Sequence, residues 1–299
     1  MVDKAPRPTQ AASGVRRTAT AGSRALSGRR RVAIARATSL TAASLVAVIL
    51  LVPLLYALYA SFEPVQFYGR VVGLSHLTPD NYRQVVTLVP ILRWYLNTVI
   101  VTAIIIVGNF LVNTPAGYAL ARLNFVGRKV VFGLILSIMM VPLQAYLIPL
   151  YLMVAGLGWL NSYKALTIPF IVYSFFIFLM RQYFLTIPRE LDDAAEVDGL
   201  GKIGTFMRIA LPLAPSAIVT QVVLGFTMTW NSFLIPVTMT NDPSYFVLTV
   251  GLNTLKSQYY DFPTVTMAGV ILLTLPVIAV FVTFQRFIVP SLASSGLKG

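Results

Sequence analysis

The chain has 299 residues, of which 57% are hydrophobic and only 11% are charged, and its formal net charge is +13. A soluble domain usually contains about 25% charged residues, so this composition argues against a soluble enzyme and indicates an integral membrane protein. The chain has no cysteine, which excludes disulfides, thiol catalysis and cysteine-based zinc or iron–sulfur sites.

The first segment, residues 1–36, is rich in Arg, Ala, Ser and Thr and contains one acid, Asp3. This composition predicts a disordered basic cytoplasmic tail that is held near anionic lipid. An organelle transit peptide has a similar Arg-rich, acid-poor composition and is the alternative. The apolar run that follows is too long for a signal-peptide core, so we expect an uncleaved first span.

Six long stretches without Asp, Glu, Lys or Arg follow one another through residues 37–299. About 20 mostly apolar residues cross the hydrocarbon core of a bilayer as a helix. A buried core helix could explain any one stretch, but it explains six in succession poorly. The sequence therefore predicts an all-α integral membrane domain over 37–299. The predicted spans lie near 38–61, 95–121, 130–155, 163–183, 207–238 and 263–287.

The basic residues predict the orientation of these spans. With the N-terminus inside, the cytoplasmic segments 1–36, 122–129, 181–208 and 286–299 carry 18 Lys and Arg residues, and the outside loops carry five. Cytoplasmic loops are enriched in Lys and Arg, so both termini are expected in the cytoplasm. This bias and the basic tail account for the positive charge. Because basic and aromatic residues do not interleave into a base-stacking surface, we expect no nucleic-acid binding.

In the first outside loop, Asp80 is expected to begin a short helix that carries Tyr82, Val85 and Val86 on one side. Such a helix would lie on the membrane surface or on a partner protein.

The predicted cytoplasmic loop 186–209 (the acidic loop) holds five of the ten acidic residues, all between positions 190 and 198. We expect two short helices separated by a turn at Gly199 and Gly201, with acids near the positive end of the first helix dipole. The Ala194–Ala195 pair would allow another protein to approach closely. A solvated loop without a partner is one alternative. Another is a magnesium diphosphate site, because Asp192, Asp193 and Glu196 resemble the carboxylates of membrane prenyltransferases. Such enzymes need a second acidic cluster on the same side, and the chain lacks one there.

The segment DAAEVDGLGKIGTFMRIALP resembles the EAA loop of bacterial ABC importer permeases. The family pattern is E-A-A, three residues, G, nine residues and I-x-L-P. Here Asp193-Ala194-Ala195, Gly199 and Ile209-Ala210-Leu211-Pro212 stand at those spacings, with Asp193 in place of Glu. Segments 117–129, 139–163, 230–237 and 284–299 are similar to the carbohydrate-uptake branch, and most to its smaller, maltose-permease-like subunit. Residues 1–36 lie outside the resemblance.

The resemblance implies a multi-pass permease of the bacterial inner membrane with the type I ABC importer fold. It implies a homologous second permease, an ATPase dimer and an extracellular substrate-binding protein as partners, besides membrane lipid. The acidic loop would dock on the ATPase, and the C-terminal residues would reach the ATPase dimer interface. The residues expected to contact the ATPase are Glu190, Asp193, Ala194, Ala195, Asp198, Gly199, Ile209, Leu211 and Pro212 in the loop or directly after it, and Ser295, Gly296, Lys298 and Gly299 at the C-terminus.

The rest of the sequence bears on the energy source. It contains no G-x-x-x-x-G-K-[ST] phosphate loop, so ATP and magnesium are expected in a separate ATPase, with no catalytic residue, metal site or cofactor in this chain. The predicted spans also lack an ionisable residue for a proton relay, which argues against a secondary transporter or channel that works alone.

Uncharged polar residues within the spans are candidates for the translocation pathway of a neutral sugar or polyol. Gln144, Asn231 and Asn113 are the predicted pathway residues, and the first two lie beside proline-disturbed segments. For most such residues, hydrogen bonding between helices is the alternative that we favour.

Overall fold

The computed structural model describes residues 14–70, 72–258 and 262–295, and within these ranges every regular element is helical. The predicted all-α class is therefore confirmed. The α-helices are α1 Gly14–Ser61, α2 Asp80–Leu88, α3 Ile91–Arg122, α4 Arg128–Met139, α5 Leu143–Gly156, α6 Tyr163–Thr167, α7 Ser174–Thr186, α8 Glu190–Val197, α9 Lys202–Thr205, α10 Pro215–Trp230, α11 Leu234–Met239, α12 Leu248–Gln258 and α13 Pro263–Ser295.

The chain divides into two units, residues 1–57 and 58–299. In the first unit, residues 14–57 are helical, and this differs from the disorder predicted for residues 1–36. The physical reason is helix propensity, because Ala and Arg are strong helix formers and no proline occurs between Gly14 and Val52. The beginning of the predicted tail, residues 1–13, lies outside the described residues.

In the described residues, four segments are long and apolar enough to cross a membrane: Arg36–Ser61, Ile91–Arg122, Tyr163–Thr186 and Pro263–Phe287. The other two predicted spans are each a bent pair of helices. The α4–α5 pair bends by 100°, and the pair Lys202–Ala210 and Pro215–Trp230 bends by 84°. The sequence pattern thus locates the apolar segments, while six crossings require that each bent pair crosses once.

The segment Tyr163–Thr186 is also interrupted. Helix α6 continues into a 3₁₀ turn at Ile168–Phe170 that contains Pro169, and α7 begins only at Ser174. Two buried amides of α3 bond to the backbone at this break. Asn109 Nδ2 donates to the Phe170 carbonyl at 3.3 Å and Asn113 Nδ2 to the Ile171 carbonyl at 3.1 Å. Since lipid offers no hydrogen bonds, an interrupted helix needs such partners from its neighbours.

Close contact between α3 and α7 places these amides within reach of the break. A Cβ atom built on Gly117 would lie 2.7 Å from Met180 Cβ and 2.9 Å from the Arg181 backbone nitrogen. A small residue at this position lets the two backbones approach, as is common where membrane helices pack. Further along, the Tyr118 and Phe184 rings meet edge to face with centroids 5.5 Å apart.

At the other end of α3, polar side chains hold the segment 243–248. Asn97 Nδ2 donates to the carbonyls of Ser244 and Phe246 at 2.9 and 2.8 Å, and Trp94 Nε1 donates to Pro243 at 3.1 Å. The predicted short helix at Asp80 is confirmed as α2, in which Val85 is fully buried. One face of α2 therefore packs within the protein.

We predict that Asn113→Leu destabilises the protein more than Asn124→Leu. The first substitution removes the bonds of Asn113 to Asn109, to the Ile171 carbonyl and to the Tyr173 N–H. Buried backbone groups left without a partner cost about 1–3 kcal/mol. The check is the thermal midpoint in mild detergent. Asn124 is exposed and serves as the matched control, so equal midpoints for the two variants would refute the capping role of Asn113.

Candidate functional site: the acidic loop and an interhelical cavity

The acidic loop contains the two short helical segments that its sequence predicts. Glu190, Asp192 and Asp193 occupy the first turn of α8, where unpaired backbone N–H groups favour negative charge. At the other end, Gly199 adopts φ +79°, and the Leu200 N–H donates to the Ala195 carbonyl at 2.8 Å. A left-handed residue with this bond is a typical helix C-terminus, and it turns the chain towards α9.

An ion pair ties the loop to the end of α3. Arg122 Nη1 lies 3.1 Å from Asp192 Oδ2, and only 5% and 24% of the two side chains are exposed. The other terminal nitrogen of Arg122 donates to the Ile187 carbonyl. By contrast, the Lys202–Glu196 pair within the loop is 3.0 Å long but more than 60% exposed on both sides, so it contributes little.

Sequence reasoning missed the role of Arg122. The residue entered only the count of basic residues in cytoplasmic segments, and 69 intervening residues separate it from Asp192. No spacing pattern pairs two such distant charges. A single basic residue at the end of an uncharged span was the one available signal.

The two alanines of the loop have different environments. Ala194 is exposed, whereas Ala195 is 1% exposed and packs inside the chain. This corrects the expectation that both alanines face a partner. Successive helical residues point about 100° apart, so a short helix that lies on its own protein cannot present both.

The remaining predicted loop residues are mostly accessible. Among the acids, Asp192 is turned towards Arg122, while Glu190, Asp193 and Asp198 are exposed. Several apolar side chains of the same loop are also exposed, notably Val197 at 88% and Ile203 at 81%. Apolar and acidic side chains that are exposed together indicate a surface for a protein partner rather than for lipid.

The segment that completes the predicted motif lies at the 84° bend. A π-helical turn at Phe206–Ala210 follows α9, and the Leu211 N–H donates to the Phe206 carbonyl at 2.8 Å. Ile209 and Leu211 are half-buried and Pro212 is exposed. Of the predicted C-terminal contact residues, Ser295 ends α13, and Gly296, Lys298 and Gly299 lie outside the described residues.

A cavity of about 180 Å³ (the interhelical cavity) lies between α3, α5, α7, α10 and α11. Among the described residues that line it, none is charged. Its polar and aromatic lining includes Thr102, Asn109, Tyr146, Tyr173, Thr229 and Ser232.

The three predicted pathway residues do not line this cavity. Gln144 and Asn231 are exposed, although their neighbours Leu143 and Ser232 face the cavity. Asn113 is fully buried, and its side chain bonds to Asn109, Ile171 and Tyr173. This is the interhelical hydrogen bonding that the sequence left open as the alternative.

The fold and the loop define a helical membrane permease, and comparison with known proteins identifies its family. The profile of the family described as "Binding-protein-dependent transport system inner membrane component" matches residues 113–294. The chain belongs to this family. The resemblance to ABC importer permeases is confirmed, and it favours a permease over the magnesium enzyme and the transporter that works alone.

Individual relatives are similar to this chain over most of its length. The arabinooligosaccharides transport system permease protein AraQ of Halalkalibacterium halodurans is 34% identical over 260 residues, which are 85% of this chain and 93% of that protein. The trehalose/maltose transport system permease protein MalG of Thermococcus litoralis is 29% identical, over 86% of this chain and 95% of that protein. A bacterial ABC transporter involved in the import of the acidic polysaccharide alginate has the same fold, with a TM-score of 0.74 at 24% identity, over 84% of this chain and 96% of that one.

We predict that Arg122→Met lowers stability by about 1–3 kcal/mol, because it leaves the partly buried Asp192 carboxylate without its partner. A double-mutant cycle of Arg122→Met with Asp192→Asn, measured as thermal midpoints, isolates the pair. The exposed Glu196→Gln is the control and should change stability by less than about 1 kcal/mol. Additive effects of the two substitutions would show that the pair does not hold the loop to α3.

Proposed function

We propose that this chain forms half of the translocation pathway of an ATP-driven importer for a saccharide or related polyol, and that the acidic loop couples it to a separate ATPase dimer. The main support for this proposal is that the two sides of the acidic loop have different environments. One side is tied to α3 through the Arg122–Asp192 ion pair and buries Ala195, and the other exposes acids and apolar side chains.

Movement of the ATPase would reach the membrane helices through the contacts of the acidic loop with α3. When the ATPase dimer closes on ATP, the docked loop moves with it. The Arg122–Asp192 pair transmits this displacement to α3. Because α3 packs tightly on α7 at Gly117, the two helices move together. This chain supplies the moving wall of the pathway, and ATP and magnesium act in the partner subunits.

The assembly has further components. A homologous second permease completes the pathway, an extracellular substrate-binding protein delivers the substrate, and lipid of the bacterial inner membrane surrounds the apolar helices. We propose six spans with both termini in the cytoplasm, in agreement with the distribution of basic residues, and in this topology the acidic loop would lie on the ATPase side. The C-terminal segment that includes Ser295 would reach the ATPase dimer.

The substrate class is inferred from relatives and from chemistry. The names of relatives refer to arabinooligosaccharides, trehalose and maltose, and galactooligosaccharides. Saccharides bind proteins through neutral hydrogen bonds and aromatic faces, and the interhelical cavity offers both without a charged side chain. A neutral saccharide or polyol is therefore the proposed cargo.

Copurification tests the assembly. We expect the tagged chain, extracted from its native membrane in mild detergent, to retain a second permease and an ATPase that carries a phosphate loop, identified by mass spectrometry. Recovery of the chain alone, stable and at full yield, would contradict a role as an importer subunit.

Gly199→Asp tests the coupling role of the loop. We expect at least a tenfold loss of uptake and weaker ATPase retention, because a side chain is strained at φ +79° and an acid is added beside Asp198. Uptake by cells and ATP hydrolysis by the purified complex are the two measurements.

Gly127→Asp is the matched control for this variant. Gly127 has φ +83°, lies in another predicted cytoplasmic segment and likewise has open space around it. The backbone strain is therefore similar, but the acidic loop is untouched. Normal uptake by the Gly199 variant, or an equal loss in both variants, would refute a specific coupling role.

A further inference from the structure

The interhelical cavity lies where three interruptions of the helices meet. Besides the residues of α3, its lining includes the start of α5 after the 100° bend, the 168–173 break before α7, and the break between α10 and α11. Broken helices in membrane transporters commonly form binding sites, because their irregular backbone is stable only where it is buried or lines a cavity. The position of the cavity does not indicate which ligand it binds. The polar groups of its wall indicate the chemical class of that ligand.

Thr102 is the most informative residue of this wall. It is 3% exposed, and its Oγ1 has no hydrogen-bond partner in the described part of the chain. Threonine hydroxyls within membrane helices usually bond to the carbonyl of the preceding turn, as Thr98 does to Trp94 at 2.7 Å. A buried hydroxyl without a partner costs free energy, so Thr102 is suited to bond to a molecule within the cavity.

Two further hydroxyls face the same space. Thr229 and Ser232 line the cavity from the end of α10 and the turn that follows it. Aromatic rings of Tyr146 and Tyr173 lie among them. The wall thus combines the unpaired hydroxyl of Thr102 and two further hydroxyls with flat aromatic surfaces and without a charged side chain. An ionic ligand would lose its hydration there without gaining a charged partner, so the wall suits a neutral ligand.

We propose that the interhelical cavity binds one neutral sugar ring of the transported saccharide, with Thr102 as a specificity-determining residue. Pockets for drug-sized ligands measure about 300–1,000 Å³, so a cavity of about 180 Å³ holds one ring rather than a whole oligosaccharide. The hydroxyls of the ring bond to Thr102, Thr229 and Ser232, and its C–H face packs on the tyrosines. A lipid chain would fill the same space but leave Thr102 unpaired. This inference rests on the proposed function and assigns part of the pathway to this chain itself.

The test uses the whole importer, with its copurified partners, in proteoliposomes. Radiolabelled maltotriose, arabinotriose and trehalose are the neutral probes, and an alginate trisaccharide is the anionic probe. We expect import of at least one neutral probe. Thr102→Val keeps the shape of the side chain and removes the hydroxyl, and it should lower the number of sugar molecules imported per ATP hydrolysed about fivefold, the factor expected for one hydrogen bond.

Two variants separate binding from folding. Thr102→Ser keeps the hydroxyl and should retain most of the import per ATP. Thr220→Val is the isosteric control on α10, because the Thr220 hydroxyl bonds to the Ser216 carbonyl and does not line the cavity. It should match the wild type in import and in ATP hydrolysis.

The outcomes distinguish this inference from the proposed function. Wild-type import by Thr102→Val for every imported neutral probe would overturn the sugar subsite and leave the coupled importer in place. Import of the alginate trisaccharide alone would also overturn it, since the wall lacks a cation to pair with a carboxylate. Absence of ATP-driven import of all four probes would contradict both proposals.

Discussion

The structure depends on one constraint: in lipid, each backbone N–H and C=O that leaves a regular helix must find a partner in the protein. The chain interrupts its helices repeatedly, and the break before α7 shows how the constraint is met. Asn109 and Asn113 reach across from α3 and bond to the carbonyls at Phe170 and Ile171, and Asn113 also accepts from Tyr173. Two neutral amides therefore stabilise an irregular segment that a purely apolar neighbour could not.

Helix α3 holds a different segment of the protein at each of its two ends. At one end, Asn97 and Trp94 bond to the segment that precedes α12. At the other, Arg122 holds the acidic loop. In between, Gly117 allows α7 to pack closely. A helix fixed at both ends and packed along its length moves as a rigid element, which suits a part that transmits displacement from a loop to a pathway.

The interhelical cavity and the break before α7 are connected by this arrangement. Asn109 belongs to both, since it lines the cavity and bonds to the Phe170 carbonyl. An amide that supports the backbone has little capacity left for a ligand, whereas the unpaired hydroxyl of Thr102 keeps its capacity. A polar residue in a span therefore indicates a translocation pathway only when its side chain is free of hydrogen bonds to the protein itself.

The sequence by itself determined the helical membrane class, the apolar segments, the helix at Asp80 and the two-part acidic loop, because each depends on local composition, spacing or turn chemistry. Only the tertiary structure decided that two apolar segments are bent pairs and that Ala195 is buried while Ala194 is exposed. It likewise paired Arg122 with Asp192 and placed Asn113 in a supporting network. These features depend on contacts between residues that are distant in the chain, and no periodic pattern records which distant residues meet.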